Sequence, residues 1–243
     1  MYRPQIFHLR FVLPLCVVFT AFLNSSEAQS GDDSIHLIST SVSGGMIEQK
    51  GDEIVGAFAT FFKEASARSD VAVDYRLVPW ARAVKETEHS DNLLLFPFTR
   101  TAEREHRFTW LIPLVEDEMC FVSVAQQIKT LAQARQLKRV LVWQGTSHKA
   151  FLTAEGFENL ITVRTNKKVI EVLKGSSDAA FYFMCNQAQA LVDPTRSELV
   201  VKLGATIAHE AIWLVGGKGL KRTKEIDQFI QAVQSLKEEH VLK

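Results

Sequence analysis

The sequence predicts an α/β protein built as two lobes, and three observations carry that prediction. Strand and helix signals alternate along almost the whole chain beyond residue 34, the pattern of open sheets flanked by helices. The alternation runs through residues 35–98 and begins again at 139, with no Gly-, Ser- or Pro-rich linker between. Two further strand-like runs, 115–124 and 210–215, are placed to cross from one lobe to the other. A cleft between such lobes is a natural small-molecule site and can close about a hinge.

Each element follows from its own pattern. Residues 35–39 form a short β-like run. Residues 56–68 read as a helix, because Phe58, Phe61, Phe62 and Ala65 recur on one face at helical spacing. Residues 71–77 alternate as a strand, and Pro79-Trp80 opens a helix that runs to about Glu88. Residues 93–98 are continuously apolar, as in a strand covered on both faces. The second half predicts strands at 139–143, 160–164 and 178–183, with helices at 147–155, 167–173 and 186–191. Strands at 198–203 and 210–215 follow. Residues 221–239 close the chain as an amphipathic helix carrying Ile226, Phe229, Ile230 and Val233.

The N-terminal segment is read apart from the fold. Arg3 and Arg10 precede an uncharged apolar run, 11–23, and small residues follow at Ser26 and Ala28. This is the layout of a secretory signal peptide cleaved after residue 28. The run is shorter than the roughly 20 residues a spanning helix needs. A lipid anchor on Cys16 is rejected, since Leu15 precedes it and the apolar run continues beyond it. The expected product is a soluble, exported, periplasmic protein of 215 residues with a formal charge of −1. Near-neutrality excludes a general nucleic-acid binder, which needs a basic surplus. The mature chain keeps Cys120 and Cys185, and an oxidising compartment permits a disulfide between them. Their apolar neighbours favour two separately buried thiols.

Four ordered segments carry a resemblance. They are Phe98-Thr-Arg-Thr-Ala-Glu-Arg104-Glu-His-Arg-Phe108-Thr-Trp110-Leu-Ile-Pro113-Leu, Gln144-Gly145-Thr146-Ser147, Lys174-Gly175-Ser-Ser-Asp178-Ala179-Ala180 and Pro79-Trp80-x-Arg82-Ala83. Together they resemble the solute-binding proteins of ABC importers, nearest to the family that binds polar amino acids, in a divergent form. The resemblance implies the two-lobe type II periplasmic binding protein fold. Each lobe is then an open mixed sheet flanked by helices, with two crossing strands at the hinge. Lobe 1 spans 29–120, lobe 2 spans 121–210, and 211–243 returns to lobe 1 with the C-terminal helix. It also implies a monomer that carries a small-molecule ligand to an ABC permease or a membrane sensor, without a cofactor.

The chemistry of the candidate site stands on the residues as well. Arg104 offers a planar fork that pairs a carboxylate bidentately, although an arginine among Arg100 and Arg107 is often a surface group. Thr99 and Thr101 add hydroxyls in the same segment. Thr146 and Ser147 sit where a strand ends and a helix starts, which suits an anion and equally suits an ordinary N-cap. Trp80 falls where the family sets an aromatic ring against the ligand, or packs as an ordinary core residue. Ser43, beside Gly44 and Gly45, lies in the first loop, where the backbone can approach a ligand. The family's acidic partner for an α-ammonium is missing, because Phe183 stands at that position and 56–60 holds no acid. A carboxylate-bearing solute is therefore expected over a standard α-amino acid, and Asp178 is read as structural.

Two other functions compete. A sensor-type binding protein would use the same closed lobes to signal to a membrane receptor. A few relatives of this fold are dehydratase-like enzymes, for which Glu118, His148 and Glu210 are the nearest acid–base candidates, none in a catalytic motif.

Overall fold

The computed structural model describes residues 34–42, 46–188 and 199–239. The signal-peptide segment and Ser43 lie outside them. Ten strands and six helices follow in chain order: β1 (Ile35–Ser39), β2 (Glu48–Lys50), β3 (Glu53–Val55), α1 (Ala57–Ser69), β4 (Val73–Leu77), α2 (Trp80–Glu88), β5 (Leu93–Thr99), β6 (Phe108–Ser123), α3 (Leu131–Arg135), β7 (Arg139–Trp143), α4 (Ser147–Ala154), β8 (Leu160–Val163), α5 (Asn166–Lys174), β9 (Ala179–Met184), β10 (Lys202–Gly217) and α6 (Lys224–Glu238).

Eight of the strands form one mixed sheet in the order β4-β1-β5-β10-β6-β9-β7-β8, and β2 pairs with β3 as a separate hairpin. β1 runs parallel to β4 and β5 at one end, and β7 runs parallel to β8 and β9 at the other. The antiparallel pair β6 and β10, each 16 residues long, belongs to both halves. Residues 212–216 of β10 pair with β5 in lobe 1, and residues 119–122 of β6 pair with β9 in lobe 2. The crossing lies between these stretches.

The apolar residues divide along the same line. On one face of the lobe 1 sheet, Phe58, Phe61, Phe62 and Ala65 of α1 pack with Phe229, Val233 and Leu236 of α6 against Leu94, Phe96, Ile212 and Leu214. Burying a phenylalanine side chain contributes about 1.5–3 kcal/mol, so this face of α1 is enough to dock it. The other face holds Ile38, Ala83, Leu95, Phe98, Phe108 and Val215 under α2. Lobe 2 repeats the scheme. Phe121, Tyr182, Val140 and Val142 face Leu152 of α4, while Leu141, Phe181 and Phe183 face Val169 and Leu173 of α5. The alternation of strand side chains between the faces makes both layers from the same strands.

Helix ends are set by local chemistry. The hydroxyls of Thr165 and Thr223 accept hydrogen bonds from the Lys168 and Ile226 amides at the starts of α5 and α6. Glu225 and Asp227 then sit in the first turn of α6 and Lys237 in its last, as the helix dipole favours.

Four expectations change. Residues 202–203 and the segment 210–215 belong to one strand, β10, since residues 204–209 continue the ladder opposite β6 through register shifts; 199–201 are not in a strand, and 198 lies outside the described residues. The first crossing strand starts at Phe108 rather than 115. Of the helix expected at 186–191, residues 189–191 lie outside the described residues, and the part that is described starts in a 3-10 turn, Cys185–Gln187. Cys120 and Cys185 are joined in a disulfide, with Cα atoms 5.1 Å apart, because pairing of β6 with β9 brings them together. Among the described residues, no helix is long and apolar enough to cross a membrane.

Candidate functional site in the interlobe cleft

A cavity of about 760 Å³ lies over the crossing strands. Lobe 1 lines it with Thr40, Pro79, Trp80, Thr99 and Arg104, and lobe 2 with Trp143, Thr146, Ser147, His148 and Phe183. The floor comes from the crossing strands themselves, through Asp117, Met119, Glu210 and Ile212.

Arg104 spans the two lobes. It sits in the turn between β5 and β6, held by its own amide donating to the Thr101 carbonyl at 3.0 Å. Its guanidinium lies 4.2 Å from the centre of the Phe98 ring. One nitrogen, Nη1, donates to the Thr99 carbonyl at 2.9 Å, and Nη2 donates to the Gly145 carbonyl across the cleft at 2.7 Å. These bonds use two of its five N–H groups. Arg104 is only 8% exposed and forms no ion pair among the described residues. Desolvation pulls its pKa down to about 10, against the charges of Glu103 and Glu210.

The Gly145 carbonyl takes a second donor from lobe 1, the Trp80 indole N–H at 2.9 Å. Trp80 opens α2 and packs 5.8 Å from Phe98, so it serves the core and the cavity wall together. Gly145 has a φ of 78°, and a Cβ there would lie 3.3 Å from Trp80 Cδ1. Gly145→Ala is expected to cost about 1–2 kcal/mol through the left-handed backbone. It should also loosen the contact with Trp80. A thermal melt and tryptophan emission spectrum indistinguishable from the wild type would refute this role.

At the start of α4, Thr146 is the N-cap residue, but its hydroxyl donates back to the Trp143 carbonyl at 3.0 Å instead of capping. Ser147 is buried and donates through Oγ to Glu210 Oε2 at 2.9 Å. The anion expected at this helix start is therefore met by one of the protein's own carboxylates. Burial raises the Glu210 pKa, against hydrogen bonds from Ser147 and Thr99. Burial also raises the Asp117 pKa, although the Asn186 side chain donates to Oδ1 at 3.4 Å.

His148 is buried against Tyr182 and Phe183, and its pKa falls to about 3 through burial and the nearby Arg104 charge. It is neutral, and Nδ1 has no partner among the described residues. Ser147, His148 and Glu210 thus form no relay, since the serine donates directly to the glutamate. Glu118 is exposed and accepts from Thr206 Oγ1, which takes it out of the cleft. Sequence reasoning named Glu118 and missed its neighbour Asp117, whose side chain faces the cavity.

The structure thus brings Trp80, Thr99, Arg104, Thr146 and Ser147 together around one cavity. Thr101 lines an adjoining groove with Lys85, Arg107 and Lys149, which shares Arg104, Thr146 and Ser147 with the cavity. Asp178 pairs with Lys138 at 3.4 Å on the surface of lobe 2. Phe183 lines the cavity, at the position where the resemblance sets an acid.

No family model matches the chain, and no curated protein matches it in sequence. Solved structures do. An ancestral arginine-binding protein bound to arginine superposes with a TM-score of 0.70 at 16% identity, covering 86% of this chain and 94% of that one. The chain has the type II periplasmic binding protein fold. The amino-acid ABC transporter substrate-binding protein AbpA from Streptococcus pneumoniae, bound to L-arginine, matches with a TM-score of 0.69 at 15% identity, covering 86% and 91% of the two chains. A histidine kinase sensor domain similar to periplasmic binding proteins gives 0.72 at 13% identity, covering 85% and 91%. Within this binding-protein fold the present chain is divergent. Its neighbours are binding proteins of transporters together with a sensor domain.

Proposed function

We propose that this chain is an exported, periplasmic solute-binding protein. It captures a small carboxylate-bearing or amino-acid-like solute in the interlobe cleft and delivers it to an ABC permease. The lobes divide at about residues 120 and 210, with the C-terminal segment returning to lobe 1, and the protein acts as a monomer. One observation carries the reading. Arg104 is a buried cation without an ion-pair partner among the described residues; it borders the cavity and is already hydrogen-bonded to both lobes. A ligand carboxylate on its free N–H groups would neutralise it and hold the lobes together. Thr99, Thr146 and Trp80 line the same cavity and complete the contact set.

The sensor domain with the same fold supports a second reading, in which the closed lobes report ligand occupancy to a membrane receptor. Co-purification with a permease, or with a kinase, separates the two.

A thermal-shift screen of amino acids, organic acids, diamines and small peptides tests the shared core of both. At least one compound is expected to raise the melting temperature by several degrees, as a ligand at 100 times its Kd contributes about 2.7 kcal/mol. A flat response across the screen would refute ligand capture.

A further inference from the structure

Asp117 and Glu210 are direct cross-strand partners in the ladder between β6 and β10. They occupy the middle of a regular stretch that runs from the Ala208–Met119 pair to the Ile212–Val115 pair, with register shifts on either side. Residues opposite one another in an antiparallel pair share a face with Cβ atoms about 4.5–5.5 Å apart, and like charges placed so repel. Both side chains line the cavity floor. No lysine or arginine forms an ion pair with either among the described residues. Burial raises the Glu210 pKa, and the Asp117 charge adds to this against the Arg104 charge.

A second, independent observation points the same way. The Gln187 side chain is 5% exposed and lines the same cavity, yet its Oε1 accepts no hydrogen bond among the described residues. Oε1 is an acceptor only. Two carboxylates without a cationic ion-pair partner among the described residues, and a glutamine whose oxygen has no donor there, therefore line one space. A buried acceptor without a partner costs about 1–3 kcal/mol, so the arrangement favours a donor from outside the chain.

We propose that Asp117, Glu210 and Gln187 form a cation subsite on the hinge strands, which receives the ammonium or guanidinium group of the solute. It rests on the reading above, with the carboxylate at Arg104. It replaces the acid missing at Phe183 by two acids from strands that belong to both lobes, so the ligand's cation is held at the crossing itself.

The test uses the purified protein with three probes in calorimetry: L-arginine, which has both groups, agmatine, which lacks the carboxylate, and glutarate, which lacks the cation. L-Arginine is expected to bind more tightly than glutarate. Asp117→Asn and Glu210→Gln should each weaken L-arginine and agmatine at least tenfold and leave glutarate unchanged or tighter. Thermal melts of the ligand-free variants establish that they fold. If glutarate binds as tightly as L-arginine, or both variants keep wild-type affinity for L-arginine, the cation subsite falls and solute binding stands. If none of the three probes binds, but another compound of the screen does and both variants leave its affinity unchanged, the subsite again falls alone. If no probe and no compound of the screen binds, both readings fall together.

Discussion

Arg104→Ala is expected to lower ligand affinity at least about 100-fold, the largest effect of any single change in the cleft. Hydrogen bonds to charged groups contribute about 1.5–3 kcal/mol each, and every 1.4 kcal/mol is tenfold in Kd. The substitution removes the proposed carboxylate contact and also the two bonds to the Thr99 and Gly145 carbonyls. Loss of the contact with Gly145 also weakens closure, so the effect exceeds that of one ligand contact. Arg104→Lys should recover only part of it, because an ammonium keeps the charge but lacks the planar fork that reaches both carbonyls. Calorimetry with the tightest compound of the screen decides the matter, and an unchanged Kd in Arg104→Ala would refute the assignment.

Reduction of the Cys120–Cys185 disulfide is expected to give the largest loss of stability. The bridge closes a loop with a sequence separation of 65 residues. Chain entropy assigns a loop of that size about 4 kcal/mol. For a chain of this length that corresponds to a fall in melting temperature of roughly 10 °C. The bridge also fixes the turn that carries Asn186 and Gln187 beside β6, so ligand affinity should decline with it. Melting curves with and without dithiothreitol, and of the Cys120→Ala/Cys185→Ala double variant, provide the check. Coincident curves would show that the bridge contributes nothing to stability.

What the sequence disclosed and what it withheld have physical reasons. The helical face of Phe58, Phe61, Phe62 and Ala65 matches the buried face of α1, because a long amphipathic pattern has only one way to dock. The motif around Arg104 marked a residue that the structure sets at the cavity, hydrogen-bonded to the Thr99 and Gly145 carbonyls. Asp117 was missed for a reason of period: along a strand a shift of one residue changes the face, and Glu116 and Glu118 flank it on the exposed side. Nothing local says which of three consecutive acids turns inward. The disulfide was equally hidden, since it depends on the pairing of Cys120 with Phe183 between distant strands. The middle of β10 carries no clean alternation, because register shifts at 203–208 interrupt its pleat. Short elements such as α3, with five residues, offer too little pattern to read.

The path of the chain through the sheet also sets an order of assembly. β10 lies between β5 and β6, so the centre of the sheet stays empty until residues 202–217 have been made. The first core needs still more, since Phe229, Val233 and Leu236 belong to α6. β7, β8 and β9, with α4 and α5 upon them, have their partners earlier, including residues 119–122 of β6. During synthesis the second lobe can therefore gather its layers while the first waits, half built, for the last forty or so residues, because non-local pairings form only once both partners exist. Lobe 1 is begun first and finished last, and the cleft comes into being only with the strand that completes it.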